Sequence, residues 1–96
     1  MVVGVMRLEV SLAAAFSLKE KRGQVRRLLG RCRSRFPVSC AETGLHDVYT
    51  SCELGFSAVE HSEGALHRLF ERVQQQIELS GEVEITACQT EYLHYN

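Results

Sequence analysis

The chain has 96 residues and a formal net charge of −1 at pH 7, so it is long enough for one domain, predicted over residues 1–96, and too short for two. Its composition, 45% hydrophobic and 24% charged, is ordinary for a globular protein. No apolar run approaches the roughly 18 residues of a membrane span, and the first residues do not resemble a signal peptide. We therefore expect a cytoplasmic protein with no membrane contact.

The first half of the chain predicts a strand followed by a helix. Apolar and other residues alternate from Val2 to Leu12, as in a strand with one buried face. The segment 13–16 is a connector, and Ser17-Leu18-Lys19-Glu20 is typical of a capping box. A helix is expected from Leu18 to about Arg35, because Pro37 ends it. Its apolar stripe comprises Leu18, Val25, Leu28, Leu29, Cys32 and Phe36.

The second half predicts two strands, a helix and a last strand. Strands are expected over 38–42 and 48–59, joined by a turn at Thr43-Gly44 in which Gly44 is a candidate for positive φ. Ser62 is expected to cap a second helix that Ser80-Gly81 ends. The buried stripe of this helix comprises Leu66, Leu69, Phe70, Val73 and Ile77. The last strand begins at Val83 and extends toward Leu93.

The resulting order, β-α-β-β-α-β, predicts an α+β, ferredoxin-like sandwich. In this arrangement two right-handed crossovers place both helices on one face of a four-stranded antiparallel sheet. The other face of the sheet is left open to solvent or to a partner.

Charge is concentrated in the first helix. The stretch 17–36 carries a local charge of +7 and the rest of the chain −8. The eight basic residues of that stretch are Lys19, Lys21, Arg22, Arg26, Arg27, Arg31, Arg33 and Arg35, against the single acid Glu20. Lys19, Arg22, Arg26 and Arg33 lie nearly in line on the helix, and Arg27, Arg31 and Arg35 flank them. Because the apolar stripe faces the sheet, we expect these seven charges to face water, where they can neutralise phosphates. The candidate nucleic-acid-binding residues are Lys19, Arg22, Arg26, Arg27, Arg31 and Arg33. The alternative is a solvated helix face, or one paired with acids of the same chain.

The open face of the sheet is a poor platform for RNA bases. Sheets that bind RNA stack bases on aromatic side chains of their central strands, whereas the central strands here offer Tyr49 alone beside acids. Val3 and Val5, with Tyr49 nearby, instead suggest a protein interface, for instance in a homodimer.

The sequence does not predict catalysis, a metal site, a cofactor or a small-molecule ligand. Cys32, Cys40 and Cys52 fall on inward faces and are expected to be reduced core residues, and no Cys or His pair has ligand spacing. His46-Asp47 is interpreted as a surface turn. Glu42 could act as a base if buried, but more simply it closes a strand or bonds the following turn. We therefore expect a protein that is not an enzyme.

Two joined motifs resemble the YlxP-like family, a domain of unknown function (503) found in small bacterial proteins. They are Ser17-Leu18-Lys19-Glu20-Lys21-Arg22 and Val38-Ser39-Cys40-Ala41-Glu42-Thr43-Gly44, with Leu54-Gly55-Phe56 in agreement. The resemblance covers the whole chain and implies a ferredoxin-like fold, no established activity and no catalytic residues. Genes of the family often neighbour those of a translation initiation factor and a ribosome-binding factor, which implies a role near the ribosome.

The leading hypothesis is therefore an RNA- or ribosome-associated binding protein that acts through its first helix, with ribosomal RNA or a ribosomal particle as partner. The alternative is a protein-interaction module or homodimer that uses the open face of the sheet.

Overall fold

A computed structural model of the chain describes all 96 residues and contains four strands and two helices. In chain order they are β1 (Val2–Ser11), α1 (Leu18–Arg35), β2 (Ser39–Gly44), β3 (Ser51–Glu60), α2 (Glu63–Leu79) and β4 (Glu84–His94). The strands form one sheet in the order β2-β3-β1-β4, and all neighbours are antiparallel. This is the predicted ferredoxin-like arrangement, with α1 and α2 on one face.

The alternation of β1 sets the two faces of the sheet. Val2, Met6, Leu8 and Val10 point toward the helices and are buried, whereas the residues between them point to the open face. Gly4 lies in the buried row because α2 passes close to it: a Cβ there would lie 2.9 Å from Phe70 and 3.0 Å from Leu66. The predicted alternation of faces along β1 is confirmed.

Both helices begin at the predicted caps. Ser17 Oγ accepts from the Glu20 backbone N–H at 3.2 Å, and Ser62 Oγ accepts from that of Ala65 at 3.1 Å. The reciprocal bond of the capping box is shifted by one residue, since Glu20 Oε2 accepts from the backbone N–H of Phe16 at 3.0 Å. After α2 ends, Gly81 adopts a φ of 71°, a conformation that glycine takes without strain.

The connection between β2 and β3 differs from the prediction. Thr43 and Gly44 continue β2, and the positive φ falls on Leu45, at 60°, rather than on Gly44. β3 begins at Ser51, so Val48 and Tyr49 lie in the loop. The physical reason is a buried ammonium group: Lys21 Nζ binds the carbonyls of Leu45 and Val48, which keeps this segment out of the sheet.

One cluster of 20 buried hydrophobic residues lies between the helices and the sheet. It includes the whole predicted stripe of α2 and four residues of the predicted α1 stripe, Val25, Leu28, Leu29 and Cys32. Leu18 and Phe36, at the two ends of that stripe, are half-buried. Neither helix is long and apolar enough to cross a membrane.

Candidate nucleic-acid interface

The outer side of α1 carries four exposed cations over its first three turns. They are Lys19, Arg22, Arg26 and Arg27, which we call the basic face. None of the four takes part in a hydrogen bond or an ion pair with the rest of the chain through its side chain. Their charge is therefore available to an external anion.

Two glycines lie within the basic face. At about 100° per residue, Gly23 and Gly30 point outward between the directions of Arg26 and Arg27. A Cβ built on Gly30 would meet no atom within 4 Å, and one on Gly23 would meet only Arg27 Nη1, at 3.4 Å. The cations therefore border a strip of bare helix backbone that a ligand can approach closely.

The arginines toward the end of α1 are engaged with the chain itself. Arg31 Nη2 lies 3.3 Å from Glu82 Oε2, and Arg33 Nη2 donates to the Cys40 carbonyl at 2.6 Å. Arg35 Nη1 donates to Gln76 Oε1 at 2.9 Å. Arg33 and Arg35 are nevertheless exposed, and Arg31 is half-buried. In the last turns of the helix, the cations are therefore partly engaged by groups of the same chain.

Lys21 is the one basic residue of the segment 17–36 that the predicted outward-facing set does not include, and it is buried. Its side chain is 1% exposed and points under α1 toward β2. Its Nζ lies 3.0 Å from Glu42 Oε2 and donates to the Leu45 and Val48 carbonyls. The burial of Lys21 could have been inferred from its spacing, because Lys21 lies three residues after Leu18 and four before Val25, on the apolar stripe of the helix.

An open depression marks the start of the basic face. It is lined entirely by polar residues and glycine, namely Ser17, Lys19, Glu20, Gly23, Gln24 and Arg27. Directly before it stands Phe16, whose side chain is 78% exposed. The sequence pattern predicts only a connector at Phe16. A large aromatic residue in a predicted surface connector is the feature of the sequence that could have indicated a binding role for Phe16.

The open sheet face has a separate apolar end. Val3 lies between Val59 of β3 and Leu93 of β4 in the strand register, and Val5 is the next outward residue of β1. Tyr49, in contrast, lies in the loop before Ser51, at the opposite end of β3 from Val59. The structure therefore brings Val3 and Val5 together with Val59 and Leu93, and not with Tyr49.

The cysteines and histidines form no metal site. Cys32, Cys40 and Cys52 are buried free thiols, as predicted, and Cys88 is exposed. Burial raises the pKa of Cys32 and that of Cys52 to about 11. No group of three or more His, Cys, Asp or Glu side chains is placed to hold a metal ion. His46, whose ring lies 3.2 Å from the Glu42 carbonyl, is exposed in the loop after β2.

Solved structures define the fold class of the chain. A de novo designed protein with ferredoxin fold, solved by NMR, has a TM-score of 0.54 over 97% of this chain and 84% of its own, at 13% identity. A Deinococcus radiodurans protein proposed to be an antibiotic biosynthesis monooxygenase has a TM-score of 0.55 over 100% of this chain and 93% of its own, at 16% identity. At such identities the likeness concerns the fold alone.

Sequence relationships then give the family. Residues 3–90 match the family model described as protein of unknown function (DUF503). The uncharacterized protein YlxP of Bacillus subtilis (strain 168) is 33% identical over 90 residues, covering 94% of this chain and 98% of the relative. The chain belongs to the DUF503 family, as its resemblance to YlxP-like proteins predicted.

Proposed function

We propose that this protein is a non-catalytic RNA-binding protein that associates with ribosomal RNA or a ribosomal particle through the basic face of α1. The observation that carries the proposal is the presence of four exposed cations, Lys19, Arg22, Arg26 and Arg27, without partners in the chain. A polyanion supplies the missing counter-charges at a regular spacing, and the release of its condensed ions favours binding.

The charge distribution also favours an anionic partner. The chain places +7 on the segment 17–36 and −8 elsewhere, so the basic face is oriented toward an anion while the remaining surface repels it. The bare backbone at Gly23 and Gly30 lets a phosphate chain lie against the helix. The choice of RNA follows from the family resemblance and its implied place near the ribosome.

Cosedimentation with ribosomal particles is the experiment that tests the proposal. The protein should travel with ribosomal subunits in a sucrose gradient at low salt and be released as salt rises, because phosphate contacts weaken with ionic strength. In parallel, binding to purified ribosomal RNA should fall with salt in the same way. A protein that stays at the top of the gradient and binds no RNA at low salt would refute the proposal.

A second candidate function is self-association through the open face of the sheet. The observation that favours it is the apolar row Val59–Val3–Leu93 across three adjacent strands, with Val59 59% and Leu93 46% exposed. Arg7, at the centre of the face, is paired within the chain, since it binds Glu53 at 3.3 Å and also Gln89. A two-fold dimer would bury the same row from both copies.

Sedimentation equilibrium distinguishes this candidate. The wild-type chain should reach the mass of two chains as concentration rises, and Val59→Glu should remain a monomer, because a carboxylate would be buried unpaired in the interface. Leu79→Glu, on an exposed apolar residue at the end of α2 and so on the helix side of the sheet, is the matched charge control and should still self-associate. A wild-type chain that stays monomeric at all concentrations contradicts the candidate.

A further inference from the structure

Phe16 is an exposed aromatic side chain with no packing role. It occupies the position before the N-cap Ser17, where an apolar residue commonly packs on the fourth residue of the helix. That fourth residue is Lys21, whose side chain is buried and engaged with Glu42. Phe16 is left 78% exposed, so its ring contributes little to the core.

The backbone nevertheless holds Phe16 in a defined place. Its N–H donates to Glu20 Oε2 at 3.0 Å, and the preceding residue, Ala15, is 3% exposed. The residue is thus fixed between a buried anchor and the first turn of α1. An exposed ring whose backbone is held next to the basic face is suited to a flat ligand group that is attached to phosphates.

We propose that Phe16 stacks on an unpaired base of the RNA whose phosphates contact the basic face. This inference rests on the proposed function and specifies its partner: a single-stranded or looped segment, rather than a plain duplex. Proteins that bind single strands combine a basic surface with aromatic side chains on which bases stack. In a duplex the bases are already stacked on each other, so Phe16 would find no partner there.

The position of Phe16 also defines the path of the RNA strand along α1. The depression begins at Ser17, and the cations Lys19 and Arg27 outnumber the single carboxylate, that of Glu20, in its lining. A nucleotide whose base lies on Phe16 can place its phosphate in this depression. The following phosphates can then lie along Arg22 and Arg26. Stacking and charge neutralisation are therefore supplied by one continuous surface at the start of α1.

Tryptophan fluorescence provides a direct test, because the chain contains no tryptophan. In the variant Phe16→Trp, the single indole should be quenched when a short unstructured oligoribonucleotide binds, and not when a blunt RNA duplex of the same length binds. Tyr95→Trp is the matched control. Tyr95 is exposed and bonds Met1 at the start of β1, whereas Phe16 follows the end of that strand. The emission of Tyr95→Trp should not change when either RNA binds.

Affinity measurements complete the test. Phe16→Ala should weaken binding of the single strand by at least about fivefold, leave duplex binding unchanged, and be rescued by Phe16→Tyr. If the wild-type protein binds both RNAs but Phe16→Ala binds them equally well and the Phe16→Trp indole is not quenched, the stacking inference is wrong while the proposed function stands. If neither RNA binds at low salt, the proposed function itself fails.

Discussion

Lys21 Nζ lies 3.0 Å from Glu42 Oε2, and this contact ties the first turn of α1 to β2 beneath the basic face. The lysine is 1% exposed and also donates to the carbonyls of Leu45 and Val48. One ammonium group thus joins the helix, the strand and the β2–β3 loop. The basic helix therefore contains two kinds of cation: one that organises the fold and others that face outward.

Replacement of Lys21 should destabilise the protein. Lys21→Met keeps most of the length of the side chain but leaves the Glu42 carboxylate without its cation and two carbonyls without a donor. We expect the free energy of unfolding to fall by about 2–4 kcal/mol, measured by urea denaturation. Lys19→Met, which removes an exposed and unpaired cation two residues earlier, should change it by less than about 0.5 kcal/mol.

A double-mutant cycle checks that the effect comes from the pair. Glu42→Gln in the Lys21→Met background should cost less than Glu42→Gln alone, because the carboxylate has already lost its partner. Equal costs of Glu42→Gln in the two backgrounds, or a Lys21→Met variant as stable as Lys19→Met, would contradict the role given to Lys21.

The four thiols should differ in reactivity. Cys32, Cys40 and Cys52 are buried, whereas Cys88 is exposed on β4. Because the thiolate is the reactive form and burial disfavours it, we expect one fast-reacting thiol per native chain with a thiol reagent near neutral pH. All four should react after denaturation. Cys88→Ala should abolish the fast reaction, and its persistence would contradict the placement of β4.

The free energy of unfolding should decline at alkaline pH because buried thiols ionise less readily in the folded chain than in the unfolded chain. Burial, and for Cys52 also the nearby Glu42 carboxylate, raises the pKa of Cys32 and of Cys52 from 9.0 to about 11. Between these values the unfolded chain has released protons that the folded chain still holds, so the free energy of unfolding falls as pH rises. Below about pH 9 this contribution is fully present.

Cysteine variants isolate that contribution. Cys52→Ala should be less stable at neutral pH, since it leaves a small cavity, yet lose less stability between pH 9 and 11 than the wild type does. Cys88→Ala should alter the alkaline decline less. Thermal unfolding across this pH range measures both, and parallel curves for Cys52→Ala and the wild type would contradict the assignment.

Replacement of Gly30 should stabilise the protein, unlike the substitutions of Lys21 and Cys52. It lies within α1, and an added Cβ would meet no atom within 4 Å. Gly30→Ala should therefore raise the free energy of unfolding by about 0.5–1 kcal/mol, because alanine loses less conformational entropy in a helix. If chemical denaturation shows a loss of stability instead, the strip is not bare in solution.

The features that could be predicted from the sequence are those that hydrophobic periodicity and helix caps determine. Alternation fixes the buried row of β1, and Ser17 and Ser62 begin both helices because a hydroxyl satisfies a free backbone N–H at each start. The sequence did not predict the burial of Lys21, because charge alone assigns a lysine to solvent unless its partner is known. That partner, Glu42, is distant in sequence. The bonds from the same ammonium group to the Leu45 and Val48 carbonyls hold the loop that contains Tyr49 outside β3.

The measurement that tests the central claim most directly compares two matched charge reversals. Arg22→Glu/Arg26→Glu alters the basic face, and Arg68→Glu/Arg72→Glu makes the same change at the same spacing among exposed residues of α2. Binding of ribosomal RNA is measured for both variants over a range of salt concentrations. The α1 variant should bind far more weakly and lower the magnitude of the slope of log K against log salt by about 2, while the α2 variant stays close to wild type. Equal losses in the two variants, or none in the α1 variant, would contradict RNA binding through the basic face.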